Sequence, residues 1–545
     1  MSAPTRDDTA VRTRSPLAGT RTLVRFYLRK DRIKLPAWVG GLGLIVVYVG
    51  SALPTLAPTE DDLAALSPIF SQPVGRMFTG PAFGMEAPTY ERFFAGGYAP
   101  YLFLLAALMS IMLVTRHTRV EEQTGRAELI RANVTGRHSA LTAALLVALI
   151  TNALAFAVVT LAQLAIGFAP VGSVLVGLGT ALTGMAFAGI TAVTVQLSEY
   201  SRSAAGMAGV ALGVSFVLRA LGDMAGVGGT ALSWASPLGW PAQTAPFVHD
   251  RWAPLIPLVL LAVAGVVSGY ALQDRRDFGA SLIAPRPGPA HAGRSLSSPL
   301  GLAARLQRGA FLGWGIGILA LGAVDGAFTQ AMLDAGDDMP PAFAEVFGNQ
   351  GLLDGYAAFL GSFVSVLVAG YAVYALQTLR EEESRGRAET VLSTPVGRAA
   401  WLGSHALVVA CGVVVIGVAV GLGTALAAAA VTGDGGVFTD VLLAHVALLP
   451  APLLILAVCV ALFGVAPRLT ALVGWALVAL TAIVTMFADL LDLPGWLRAV
   501  SPLYHLAEVP VEDFAPWAFV VVLAVAAVVA AIGLLGIRRR QIGAD

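Results

Sequence analysis

The chain has 545 residues, 57% hydrophobic and 12% charged, with 34 basic residues balancing 34 acidic ones. A soluble domain carries roughly 25% charged residues, so the composition excludes a string of soluble domains and points to bilayer-crossing segments of about 20 apolar residues each. Cys411 and Cys459, the only cysteines, both sit in apolar runs, which excludes a disulfide framework or a thiolate metal site.

Residues 1–37 are polar and Arg-rich, and no cleavable signal peptide is expected there. Within 17–34, Leu23, Val24, Tyr27 and Leu28 recur at near-helical spacing among arginines, which predicts an amphipathic helix in the membrane interface. Apolar runs follow near 37–56, 98–115, 140–164, 172–197, 204–222 and 253–272. The basic Pro/Gly/Ser-rich stretch 279–299 predicts a linker. Residues 298–309 predict a second interfacial helix, with Ser298 as N-cap, Pro299 in the first turn, and Leu302 and Leu306 facing away from Arg305 and Arg308. Further runs lie near 310–329, 356–379, 400–430, 438–464, 469–488 and 515–537. The expected fold is an all-α polytopic membrane protein of about twelve transmembrane helices, with a first six-helix half at 1–278, a linker at 279–299 and a second half at 300–545.

Charge tests this layout independently. With the N-terminus in the cytoplasm, the inside segments hold 29 of the 34 basic residues, and the outside keeps Arg76, Arg92, Arg219, Arg251 and Arg498. Acidic residues divide 14 inside and 20 outside. The basic asymmetry is what the positive-inside rule demands. Both termini are therefore expected in the cytoplasm, and the neutral total, a sum of two opposed faces, gives no reason to expect nucleic acid. Scarce Lys and plentiful Arg, Ala and Gly suggest a GC-rich bacterial genome and thus a bacterial plasma membrane.

The two halves repeat. RVEEQTGRAELIRANVTGR (119–137) aligns without gaps to REEESRGRAETVLSTPVGR (380–398), and nine positions match. They pair Arg119 with Arg380, Glu121 with Glu382, Glu122 with Glu383, Gly125 with Gly386, Arg126 with Arg387, Ala127 with Ala388, Glu128 with Glu389, Gly136 with Gly397 and Arg137 with Arg398. Both copies follow the second span of their half on the cytoplasmic side, so the repeat is parallel. Ser236-Pro237-Leu238 and Ser501-Pro502-Leu503 echo one another before the last span of each half. Glu121 and Glu128, and likewise Glu382 and Glu389, are spaced to share a helical face. Glu122–Arg126 and Glu383–Arg387 have the spacing of intrahelical ion pairs. Gly125 and Gly386 predict a break before a short helix that Asn133 and Pro395 would end. Two readings are open: a solvated loop with ordinary salt bridges, or a pair of docking handles for a two-fold cytoplasmic partner.

The pattern of a span, EE-x-x-x-G-R-A-E and a short helix ending at V-x-G-R or P-V-G-R resembles the coupling-helix region of ABC-2 type transporter permeases. The duplicated layout is most similar to the fused twelve-span actinobacterial exporters of polyketide antibiotics. The first copy departs from the pattern at Val134, where the second has Pro395. The resemblance implies that Glu121, Glu122, Gly125, Arg126, Glu128, Arg137, Glu382, Glu383, Gly386, Arg387, Glu389 and Arg398 contact two copies of a cytoplasmic ABC ATPase, with ATP and Mg on that partner and no cofactor in this chain. It also implies export of a hydrophobic or amphipathic, drug-like compound.

The energy source can be argued from the residues alone. A P-loop needs a Lys after a Gly-rich turn, whereas Lys30 and Lys34, the only lysines, lie in LRKD and RIKLP. The chain is thus expected to be a transport subunit rather than an enzyme. Ionisable residues are scarce in the spans, with His405, His445, Asp325 and Asp489 near their ends, which disfavours proton-coupled drive. The outer loops 57–97 and 325–355 are long, and the second carries Asp325, Asp334, Asp337, Asp338, Glu345 and Asp354 without a base. Asn152, Gln163, Gln196 and Gln377 are expected to make interhelical hydrogen bonds, and no substrate site is named from them. Two rivals stay open: a gradient-driven secondary multidrug carrier, and a polytopic membrane enzyme or scramblase, although no catalytic or metal-binding cluster converges at either face.

Overall fold

In hydrocarbon, each backbone N–H and C=O of a spanning segment needs a partner within the segment, and for a single run of Ala, Val and Leu only a helix supplies it. The computed structural model of the chain is helical accordingly, with no strand among the described residues. It describes residues 15–131, 135–277, 279–284, 288, 290–335, 351–488 and 493–542. The chain divides into two compact units, Met1–Pro287 and Gly288–Asp545.

The first unit comprises α1 (Thr20–Lys30), α2 (Lys34–Leu56), α3 (Glu60–Ser71), α4 (Pro73–Thr79), α5 (Tyr90–Gly97), α6 (Ala99–His117), α7 (Arg119–Gln123), α8 (Arg126–Arg131), α9 (Ser139–Ile166), α10 (Pro170–Leu197), α11 (Ser201–Ala225) and α12 (Ile256–Gln273), besides single turns. The second comprises α13 (Pro299–Ala327), α14 (Thr329–Ala335), α15 (Leu352–Ser384), α16 (Arg387–Leu392), α17 (Arg398–Thr432), α18 (Gly435–Ala447), α19 (Pro450–Val465), α20 (Thr470–Phe487) and α21 (Pro516–Arg539). Eleven stretches among the described residues are long and apolar enough to cross a membrane, and a shorter apolar helix at 470–485 stands where the run 469–488 is expected.

The second and fourth spans form the middle of each unit. Their most apolar windows are 67% and 72% buried in the first unit, and 72% and 67% in the second, against 28% and 22% for the sixth spans. The sixth span packs on the fourth through glycine in both units. A Cβ on Gly265 of α12 would lie 2.5 Å from the backbone of Gly189 in α10, and one on Gly533 of α21 would lie 2.8 Å from Ala461 Cα in α19. Such contact between backbones is what small residues permit where lipid supplies no hydrophobic drive for helix association. Gly265→Leu or Gly533→Leu is expected to destabilise the protein by about 1–3 kcal/mol through overpacking. Thermal unfolding checks this, with Gly206→Leu, a position open to space, as the silent control.

One expectation needs correction, and two others gain detail. Ser298 does cap a helix, accepting from Gly301 N at 3.1 Å, but α13 runs unbroken into the span, so no separate interfacial helix occupies 298–309. The run 438–464 lies within the span at 435–465, which is made of two helices meeting at Leu448–Leu449, where Pro450 starts the second. Arg76 and Arg219, counted as outside charges, are buried. Arg219 lies 3.4 Å from Asp223 within α11, Ser233 Oγ donates to Asp223 at 2.6 Å, and Arg76 Nε donates to the Asp223 carbonyl at 2.8 Å. Residues 336–350, with Asp337, Asp338 and Glu345, and also Asn133, Val134 and Asp489, lie outside the described residues.

Of the polar span residues expected to bond between helices, Asn152 does so, Gln163 does not, and Gln377 Nε2 has no hydrogen-bond partner among the described residues. Asn152 Nδ2 donates from α9 to Ser110 Oγ in α6 at 3.0 Å, whereas Gln163 Nε2 reaches only Val159 O in its own helix. The SPL segments seat against their own units. Ser236 Oγ donates to Ser215 O at 2.5 Å, and Leu503 is buried with Leu448 and Val522.

Candidate functional site: the repeated elbows

Each copy of the repeat forms an elbow after the second span. Gly125 and Gly386 have φ of +71° and +69°, the left-handed region that glycine adopts without strain. Neither has an atom within 4 Å of an added Cβ, so conformation rather than space requires glycine there. The turn releases α8 and α16, six residues each, which anchor through the buried repeated alanines Ala127 and Ala388.

The turn also undoes the ion pairs expected from spacing. Glu122 does not meet Arg126. It pairs with Arg119 at 2.7 Å and with Arg276, just beyond the sixth span, at 2.7 Å. Glu383 does not meet Arg387 either; it pairs with Arg380 at 3.6 Å and with Arg540, just beyond the sixth span of its own unit. The two clamps are equivalent, and each ties the end of the second span to the end of the sixth. Arg137 and Arg398 complete them. Arg137 donates to the carbonyls of Gln273 and Asp274 at 3.0 and 2.8 Å, and Arg398 to the carbonyl of Arg540 at 2.6 Å. Cationic side chains at a helix C-terminus also meet the negative end of its dipole.

Glu121 and Glu382 do not share an open face with Glu128 and Glu389. Both are buried, because the helix that would align them is broken at glycine. Glu121 pairs with Lys30 of α1. Glu382 instead takes Arg387 of its own elbow, with Nη2 at 2.6 Å and Nε at 3.0 Å, and this contact raises the Arg387 pKa. The copies differ here because α1 supplies a lysine to the first elbow, while α13 runs straight into its span.

Helix α1 is held to the first elbow by more than Lys30. Asp31 is buried between Arg116 at 2.9 Å and His117 at 2.8 Å. Tyr27 stacks on His117 with ring centroids 4.2 Å apart and donates to its carbonyl at 3.2 Å. Burial, and then the charge of Glu121, push the Tyr27 pKa up. A cavity of about 290 Å³ lies under this elbow, lined by Tyr27, Glu121, Glu122, Arg137, Gln196 and Arg276. Gln196 Oε1 accepts from Arg276 Nε at 2.5 Å, so this polar residue of α10 supports the clamp.

Arg126, Glu128, Arg387 and Glu389 are thus exposed on the short helices, whereas Arg137 and Arg398, also exposed, are bonded to the end of the sixth span. Sequence reasoning missed Lys30, Arg276 and Arg540. One signal was legible: each half ends its last span with a cluster of arginines, DRRD at 274–277 and RRR at 538–540.

The family model described as the C-terminal domain of the multidrug efflux system permease Rv1217c matches residues 21–272 and 296–538. The multidrug efflux system permease protein Rv1217c of Mycobacterium tuberculosis (strain ATCC 25618 / H37Rv) is 36% identical over 534 residues, covering 97% of this chain and 96% of that protein. With similarity reaching across both units and both elbows, the chain belongs to the family of the multidrug efflux permease Rv1217c.

Proposed function

We propose that this chain is the membrane-spanning subunit of an ATP-driven ABC exporter of the ABC-2 type, which moves hydrophobic or amphipathic drug-like compounds out of a bacterial cell. Two copies of a separate cytoplasmic ATPase dock on α8 and α16, and ATP and Mg are held and used there. The observation that carries the reading is the exposed Arg-x-Glu on each short helix, Arg126/Glu128 and Arg387/Glu389, at equivalent places in both units. The buried members of the repeat brace it. Push on α8 is carried by Glu122 to Arg276 and the sixth span, and push on α16 by Glu383 to Arg540. The substrate class follows from the relative's printed name and from spans rich in aliphatic side chains. Both termini lie in the cytoplasm in this arrangement, as the basic residues of the elbow-bearing end require.

The test is co-purification. Tagged wild-type chain is expected to bring down a P-loop ATPase near two copies per chain, and E128K/E389K, which alters only exposed positions, to lose it while staying monodisperse. An ATPase retained by that double variant removes the docking assignment. Export abolished by a protonophore at undiminished ATP would favour a gradient-driven carrier instead.

A further inference from the structure

A second cavity of about 290 Å³ opens in the first unit where the α1–α2 junction, the end of α6 and the start of α11 meet. Its lining divides by chemistry. Lys34, Arg116 and Arg202 supply three basic side chains, while Trp38, Met109 and Met112 supply an apolar wall. The acid within it, Asp31, is already engaged by Arg116 and His117. Lys34 is exposed and forms no ion pair with a described residue. Met109 is buried and Met112 is 53% exposed, so the apolar wall runs from the interior out to the lipid-facing side. Methionine is flexible enough to follow an irregular chain, and tryptophan favours the depth at which headgroups sit.

We propose that this cavity is a binding site for an anionic phospholipid of the inner leaflet, with its phosphate among Lys34, Arg116 and Arg202 and an acyl chain along Met109 and Met112. Charge complementarity selects the occupant: basic pockets between spans at the cytoplasmic face suit acidic headgroups, which that leaflet supplies. The site belongs to the first half alone. The repeat offset of 261 residues (119 to 380) places Gln377 at the position of Arg116, so the second half lacks that cation. A lipid seated here would bridge the α1–α2 junction, α2, α6 and α11 beside the first elbow. The inference goes beyond the exporter reading and shares only its orientation, not its ATPase.

Native mass spectrometry of the full chain in detergent tests it, with phosphatidylglycerol compared against phosphatidylcholine of the same acyl chains. Phosphatidylglycerol is expected to bind roughly tenfold or more tighter, and K34Q/R202Q to remove that preference. M112W, which narrows the tail channel without changing charge, is expected to weaken retention of both lipids. R305Q/R308Q, which removes two exposed charges from the other half, is expected to leave the preference intact. A preference that survives K34Q/R202Q, or that R305Q/R308Q erases equally, overturns the site. Displacement of the lipid by free glycerol phosphate at equal concentration also overturns it, by reassigning the cavity to a soluble phosphate.

Discussion

Glu122→Ala is expected to destabilise the first unit by about 3–5 kcal/mol, the range for removing one partner of a buried pair. The substitution strands two guanidinium groups. Arg119 is 1% exposed and Arg276 has a side chain only 6% exposed. Arg119 keeps the carbonyls of Val195 and Ala280, at 2.6 and 2.9 Å, but loses its counter-charge. Glu383→Ala is expected to strand Arg540 in the second unit, while Arg380, with a side chain 39% exposed, is left to solvent, so the loss there is smaller. The measurement is the thermal midpoint of the purified protein, set beside drug export and ATPase capture. Capture is expected to persist while export falls, because the docking helix remains and its brace does not. The double variant E122A/R276M should recover part of the stability, since one of the two stranded charges is then absent while Arg119 remains, and with the R276M single variant the cycle isolates the Glu122–Arg276 pair. A Glu122→Ala protein with wild-type midpoint and wild-type export would mean that the clamp carries neither stability nor force.

Arg219→Met is expected to have a comparable cost, about 3–5 kcal/mol, at the opposite end of the first unit. Arg219 donates Nη2 to the carbonyl of Met77 at 2.9 Å, so it ties α11 to α4 as well as meeting Asp223. Without it, Asp223 keeps Ser233 as a hydrogen-bond donor but has no adjacent cationic side chain of its own helix. R219M/D223L is expected to be milder than R219M alone, because matched apolar side chains replace a buried pair with little penalty. Thermal unfolding of the two variants decides the matter, and equal midpoints would refute the pairing as the source of the loss.

Much of the fold was legible because hydropathy adds along a chain. The runs read at 172–197, 400–430 and 515–537 correspond to Pro170–Leu197, Arg398–Thr432 and Pro516–Arg539. The amphipathic reading of 17–34 corresponds to α1, which buries Leu23 and Tyr27. Of the elbows, the glycine breaks and the short helices were legible, since a local conformational preference sets both. The ion-pair partners were not. Spacing assigns Glu122 to Arg126, but a left-handed glycine between them swings Arg126 outward, and the carboxylate meets an arginine 154 residues away.

The sequence by itself therefore determined a bilayer-embedded helical protein, its duplicated halves and the places where the repeated elbows stand. Those properties come from apolar run length, charge asymmetry and glycine, all read within a short window of chain. Only the tertiary structure decided which charges of the elbow stay exposed and which lock the second span to the sixth. The reason is that burial and counter-charge depend on segments brought together by packing, and no local pattern records which arginine will arrive.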